Sequence, residues 1–70
     1  MPNGQTLDYI LEELIDKKRL WVVLMAIAFV CDEKAAHIRE TWQDEITALA
    51  WEKQARKIET IANACKRIDL

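Results

Sequence analysis

An uninterrupted apolar run from Leu20 to Cys31 dominates the hydrophobic pattern of this chain. No residue in the run carries a charged or strongly polar side chain, and charged triplets flank it on both sides. If the run is helical, it is apolar on every face, so every face has to be covered. It is too short to span a membrane, which takes about 20 apolar residues. Because a chain of 70 residues cannot easily surround one of its own helices, the run predicts that a second chain completes the fold.

Helix is the regular structure that the rest of the pattern favours. Pro2 and Gly4 are the only proline and glycine, so the strongest helix breakers are absent from the residues that follow. Residue types with high helix propensity dominate there. We discern no alternating strand pattern, no internal repeat and no low-complexity segment. The sequence therefore predicts an all-α protein with a single helical domain over residues 1–70.

The first helix is predicted at about residues 6–17. Thr6 can cap its first turn, and Asp8 lies near the positive end of the helix dipole. Apolar residues recur at the spacing of an amphipathic helix, at Leu7, Ile10, Leu11, Leu14 and Ile15. Since cations suit a helix C-terminus, the triplet Lys17–Arg19 predicts a tight connection around residues 16–19.

The phase of the apolar positions predicts two further helices rather than one. One helical face holds Leu20, Leu24, Ile27, Cys31, Ala35, Ile38, Trp42 and Leu49. A second face, rotated by roughly 150° on the same wheel, holds Trp51, Ala55, Ile58, Ala62 and Cys65. A break lets the second face fold back onto the first. Thr41-Trp42-Gln43-Asp44 resembles a capping box, which places the reversal near residues 41–45. Helix 2 is then expected at about residues 20–40 and helix 3 at about 42–67, as a long antiparallel hairpin.

Such a hairpin leaves one apolar side open. A second copy related by two-fold symmetry would close it into a helical bundle, in a parallel or an antiparallel arrangement. Aromatic and large apolar side chains on and beside the run are the candidates for the interface. They are Trp21, Leu24, Met25, Ala28, Phe29, Trp42 and Trp51.

Composition and charge narrow the class of protein. Hydrophobic residues make up 51% of the chain and charged residues 31%, which is typical of a folded protein. A formal net charge of −2 provides no long-range attraction for nucleic acid or an anionic membrane. Met1–Gly4 lacks the basic region of a secretory signal, so we expect a cytoplasmic protein. Cys31 and Cys65 are accordingly expected to be reduced and to pack as small hydrophobic residues.

One polar stripe has the residue types of a metal site. Glu33, His37, Glu40 and Asp44 follow helical spacing, and imidazole and carboxylate groups bind zinc, manganese and iron. The stripe lies opposite the apolar face of helix 2, so we interpret it as a solvent-exposed face. A single histidine cannot supply a closed structural zinc site without other chains.

A second set of carboxylates is Glu12, Glu13 and Asp16, with Glu40 and Asp44 farther along. This set resembles the MazG-type all-α nucleotide pyrophosphohydrolases, dimeric helical bundles that hold Mg²⁺ with Glu-Glu-x-x-Glu and a later Glu-x-x-Asp. The chain departs from that pattern because Asp16 replaces a glutamate and Glu40 and Asp44 lie one residue too far apart. The resemblance implies a metal-dependent hydrolase as an alternative function.

Basic residues suggest a further alternative. Helix 3 carries Lys53, Arg56, Lys57, Lys66 and Arg67, which a dimer would present twice, but Glu52 and Glu59 dilute the patch. A weak nucleic-acid-binding dimer is therefore the third hypothesis.

We expect a small interaction or regulatory protein of the kind that bacteria, plasmids and phages encode. It acts as a homodimer and binds another protein, rather than nucleic acid or a membrane. No catalytic, cofactor-binding or metal-binding residue is predicted for it.

Overall fold

The fold is known from a computed structural model, which describes residues 6–70 and leaves the Met1–Gly4 stretch outside the described range. All the regular structure of residues 6–70 is helical, as predicted, with α1 at Leu7–Lys18, α2 at Leu20–Trp42 and α3 at Glu45–Arg67. Helices α2 and α3 pack as a hairpin, and α1 contacts α2 but not α3 within this range. None of the three helices is long and apolar enough to cross a membrane.

Helix α1 begins as its sequence predicts. The Thr6 hydroxyl oxygen accepts a hydrogen bond from the backbone N–H of Tyr9 at 3.3 Å, which satisfies one of the free donors of the first turn. The charges at both ends complement the helix dipole, since Asp8 lies in the first turn and Lys17 and Lys18 lie in the last.

The reversal between α2 and α3 falls in the predicted place, but Thr41 does not cap it. Helix α2 continues through Trp42, and Gln43 then adopts the left-handed conformation with φ 52°, donating its N–H to the Arg39 carbonyl at 3.1 Å. Asp44 caps α3 instead, because its carboxylate accepts from both the N–H and the hydroxyl of Thr47, at 3.1 and 2.7 Å. The prediction that Thr41 opens a capping box was therefore wrong. A non-glycine residue in the left-handed region ends α2, so no glycine marks the turn.

The hairpin is held together by small side chains, which we call the alanine seam. Helix α3 contributes Ala48, Ala55 and Ala62, spaced seven residues apart, and α2 contributes Ala28 and Ala35 at the same spacing; all five are buried. No large side chain of the described residues is fully buried. Small side chains let two helix backbones approach closely, and the seven-residue period keeps them facing along the hairpin.

This seam reveals a repeat that our sequence analysis missed. Helix α3 consists of three heptads of the form Glu-x-x-Ala-x-x-apolar, over residues 45–51, 52–58 and 59–65. Positions three residues before and after each alanine lie on either side of it on the helix. The glutamates therefore flank one side of the seam, and Trp51, Ile58 and Cys65 flank the other.

The three helices form a flat molecule. The Cα atoms extend over 38 × 37 × 12 Å, and their radius of gyration of 14.5 Å exceeds the about 11 Å expected for a globular chain of this length. No residue of α1 is buried. The chain is thus a thin slab with two broad sides rather than a closed bundle.

A single residue, Arg19, joins α1 to α2 and sets the direction of α1. Its φ of 110° is unfavourable for a residue with a side chain. Its guanidinium donates to the main-chain oxygen of Asp69 at 3.1 Å and pairs with the Asp69 carboxylate at 3.2 Å. The N–H of Leu20 donates to the Leu70 oxygen. These contacts attach the connection between α1 and α2 to the residues that follow α3. They therefore constrain the direction in which α1 leaves the hairpin.

Candidate interaction surface

An apolar groove runs between α1 and α2. Its volume is about 680 Å³, and it is open to solvent along its length. Helix α1 contributes Leu11 and Leu14, and α2 contributes a row of aliphatic side chains: Val22, Val23, Ala26, Ile27 and Val30. An open apolar surface of this kind is typical of a protein-binding site.

Charged residues lie only at the ends of the groove. Lys18 stands at one end, on the last turn of α1. Lys34 stands at the other, with its ammonium nitrogen 5.5 Å from the centre of the Trp51 ring. Trp51 belongs to the apolar side of the alanine seam, so the groove and that side of the hairpin form one continuous surface.

The residues predicted for the interface occupy three environments. Trp51 lines the groove. Trp21, Leu24 and Met25 are half-buried, and Lys66 lies 4.9 Å from the centre of the Trp21 ring. Phe29 and Trp42 are exposed over 63% and 71% of their surface.

Ala28, which was also predicted for the interface, is buried within the single chain. It packs in one buried cluster with Cys31 and Ala55, so the hairpin itself already covers it. Its small side chain serves the approach of α3 rather than contact with a partner.

The groove brings together residues that the sequence analysis did not select. Leu11 was placed on the apolar face of α1 but not in the interface. Val22, Ala26 and Val30 were not selected because α2 is apolar all round, and hydropathy alone did not distinguish the face toward α3 from the face toward α1. The available signal was the heptad of α3. Two of its three glutamates, Glu45 and Glu52, pair with Arg39, which marks the side of α2 that faces α3.

The opposite side of the hairpin carries a network that we call the ion-pair side. Arg39 of α2 donates to Glu45 at 2.7 Å and to Glu52 at 2.9 Å. Arg56 of α3 pairs with Asp32 of α2 and, at 3.0 Å, with Glu59. The hydrogen bonds from Arg39 lower the pKa of both Glu45 and Glu52, and those from the Thr47 hydroxyl and N–H lower the pKa of Asp44. The slab is therefore polar on one side and apolar on the other.

These pKa shifts predict acid sensitivity. A carboxylate whose pKa is lower in the folded than in the unfolded chain stabilises the fold while it is ionised. This contribution is present above the ordinary glutamate pKa of 4.5 and is lost as the pH falls through the lowered value. We expect the thermal midpoint to fall as the pH is reduced from about 5 to about 3. Melts of the double variant Glu45→Gln, Glu52→Gln at the same chain concentration should show a weaker pH dependence, and equal dependence in both proteins would contradict the assignment.

The carboxylates considered for metal or hydrolase chemistry are dispersed. Glu12, Glu13 and Asp16 are exposed on α1, whereas the Asp44 carboxylate is engaged in capping α3. His37 is exposed, and its Nδ1 lies 3.5 Å from the Thr41 hydroxyl. Within residues 6–70 no three side chains of His, Cys, Asp or Glu come close enough together to bind one metal ion. Cys31 and Cys65 are free thiols.

The basic charge of α3 is partly neutralised by ion pairs within the chain. The guanidinium of Arg56 is shared between Asp32 and Glu59, so it is not available to a phosphate without breaking those contacts. No specific observation therefore favours a nucleic-acid interface on this helix.

Comparison with known proteins does not indicate what this surface binds. No known family model, curated protein or solved structure matches the chain. The chain has an apolar groove on one side and an ion-pair network on the other. This geometry is the basis of the function proposed below.

Proposed function

We propose that this chain is a non-catalytic helical interaction protein that works as a homodimer formed through the groove. One observation carries the proposal: Leu14, Ile27 and Val30 in the groove are each 39–50% exposed, while five of the seven buried residues in the described part of the chain are alanines. A buried methyl group contributes only about 1 kcal/mol, against about 1.5–3 kcal/mol for a fully buried Leu, Ile or Phe side chain. The single chain thus leaves much of its hydrophobic stabilisation unused.

The exposed area agrees with a missing partner. The chain exposes 5447 Å², whereas a compact monomer of 8.2 kDa exposes about 4500 Å². The excess of about 900 Å² is close to the about 800 Å² that each partner buries in a stable protein complex.

The ion-pair side is proposed to remain exposed in the dimer. There it would bind the partner that the dimer regulates, which we take to be another protein. Two-fold symmetry would present two such sides, pointing away from each other. Because their charges are largely paired within the chain, the side offers shape and hydrogen bonds rather than a strong field. Such a surface suits a protein partner better than a polyanion.

Light scattering coupled to size exclusion tests the proposal. At micromolar concentration we expect a particle of twice the 8.2 kDa mass of the chain, with a thermal midpoint that rises with chain concentration. Mass action requires that rise because only the folded chain dimerises. A stable monomer whose midpoint does not depend on concentration would overturn the proposal.

A further inference from the structure

Resting on the proposed homodimer, we infer that the helix seated in each groove is α1 of the second copy, docked reciprocally and antiparallel to the α1 of the chain that binds it. Helix α1 contacts only α2 among the described elements and has no buried residue. An isolated helix of 12 residues is marginal in water, so a second contact is needed to hold it. The two copies of α1 would provide that contact to each other.

The dimensions of helix and groove match. Helix α1 is about 18 Å long at 1.5 Å per residue. The α2 wall of the groove, from Val22 to Lys34, spans about the same length. The side chains that α1 would insert are still open to solvent, since Leu7 is 68% exposed and Ile10 and Leu14 are each about two-fifths exposed.

The charges of α1 select the antiparallel direction. Its first two turns carry Asp8, Glu12 and Glu13, whereas its last turn carries Lys17 and Lys18 beside one carboxylate, Asp16. An antiparallel pair places the acidic end of one helix beside the basic end of the other, twice per dimer. The helix dipoles also oppose each other in this arrangement. A parallel pair would place like charges together at both ends.

A charge-swap experiment tests this arrangement. One variant carries Asp8→Lys and Glu12→Lys, and the other carries Lys17→Glu and Lys18→Glu. Each alone brings like charges together at both ends of an antiparallel pair, so sedimentation should show dimers weakened about tenfold or more. In an equimolar mixture every contact regains an attractive partner, and the heterodimer should recover the affinity of the unmodified chain. Loss of helix within α1 cannot explain such recovery, because it would persist in the mixture.

The other outcomes separate the two proposals. If the unmodified chain dimerises and both variants alone dimerise equally well, α1 is not the docked helix and the inference fails while the homodimer stands. A mixture that binds more tightly than the unmodified chain would show a parallel pair and overturn the antiparallel assignment. If the unmodified chain is a monomer, the homodimer itself is wrong.

Discussion

Replacing Ala55 with leucine should strongly destabilise the hairpin. Ala55 is fully buried at the middle of the alanine seam, packed with Ala28 and Cys31. A leucine there adds carbon atoms where two backbones already approach closely, and overpacking of this kind costs about 1–3 kcal/mol or more. For a domain of this size, each 1 kcal/mol lowers the thermal midpoint by about 4–8 °C. Calorimetry or circular-dichroism melts at fixed chain concentration measure the loss.

Ala64→Leu is the matched control. It makes the same chemical change on the same helix at an exposed position, and leucine and alanine have similar helix propensities. Its stability should stay within about 0.5 kcal/mol of the unmodified chain. Equal melting of the two variants would show that α2 and α3 are not closely packed along the alanines.

Replacing Val30 with glutamate should abolish the homodimer while leaving the single chain folded. Val30 lines the groove and is 50% exposed, so the new carboxylate remains hydrated in the monomer. Dimer formation would bury the carboxylate in both grooves, where Lys34, one helical turn away, is the nearest cation on the same helix. Even a paired charge has to be desolvated, which costs several kcal/mol and can exceed the Coulombic gain. We therefore expect the dissociation constant to rise by about 100-fold or more, as measured by analytical ultracentrifugation.

Ile61→Glu controls for charge and hydrophobicity together. Ile61 is 55% exposed on α3 and does not line the groove, yet the substitution changes the net charge by the same amount. We expect its dimer affinity to remain within a few-fold of the unmodified chain. Comparable weakening by both substitutions would mean that the groove is not the interface.

The proposed dimer explains why the core of the single chain is so small. A seam of alanines brings two helices close together but removes little apolar surface from water. Placing Trp51, Ile58 and the aliphatic row of α2 on one side of the slab keeps that surface available for a second copy. The ion-pair side prevents the same association from the opposite side, because its guanidinium and carboxylate groups would have to be desolvated.

The composition and spacing of residues were enough to determine the helical fold. Without glycine or proline beyond Gly4, no residue interrupts helix strongly, and the change of apolar phase between Trp42 and Trp51 required a reversal. Thr6 could be recognised as a cap because the bond from its hydroxyl to Tyr9 is local. Capping at the reversal was harder to predict, since Thr41 and Asp44 are both suitable cap residues and only the position of the turn decides between them.

The apolar run from Leu20 to Cys31 shows where sequence reasoning stops. The sequence by itself determined that this run is a helix without a polar face, and from this we predicted that it needs more cover than one small chain can provide. Only the tertiary structure decided which of its faces meets α3 and which lines the groove. Hydropathy ranks residues by the area they can bury, whereas the packing of α2 on α3 depends on how closely two backbones approach. That distance is set by the smallest side chains, Ala28 and Ala35 against Ala48, Ala55 and Ala62, and not by the most apolar ones.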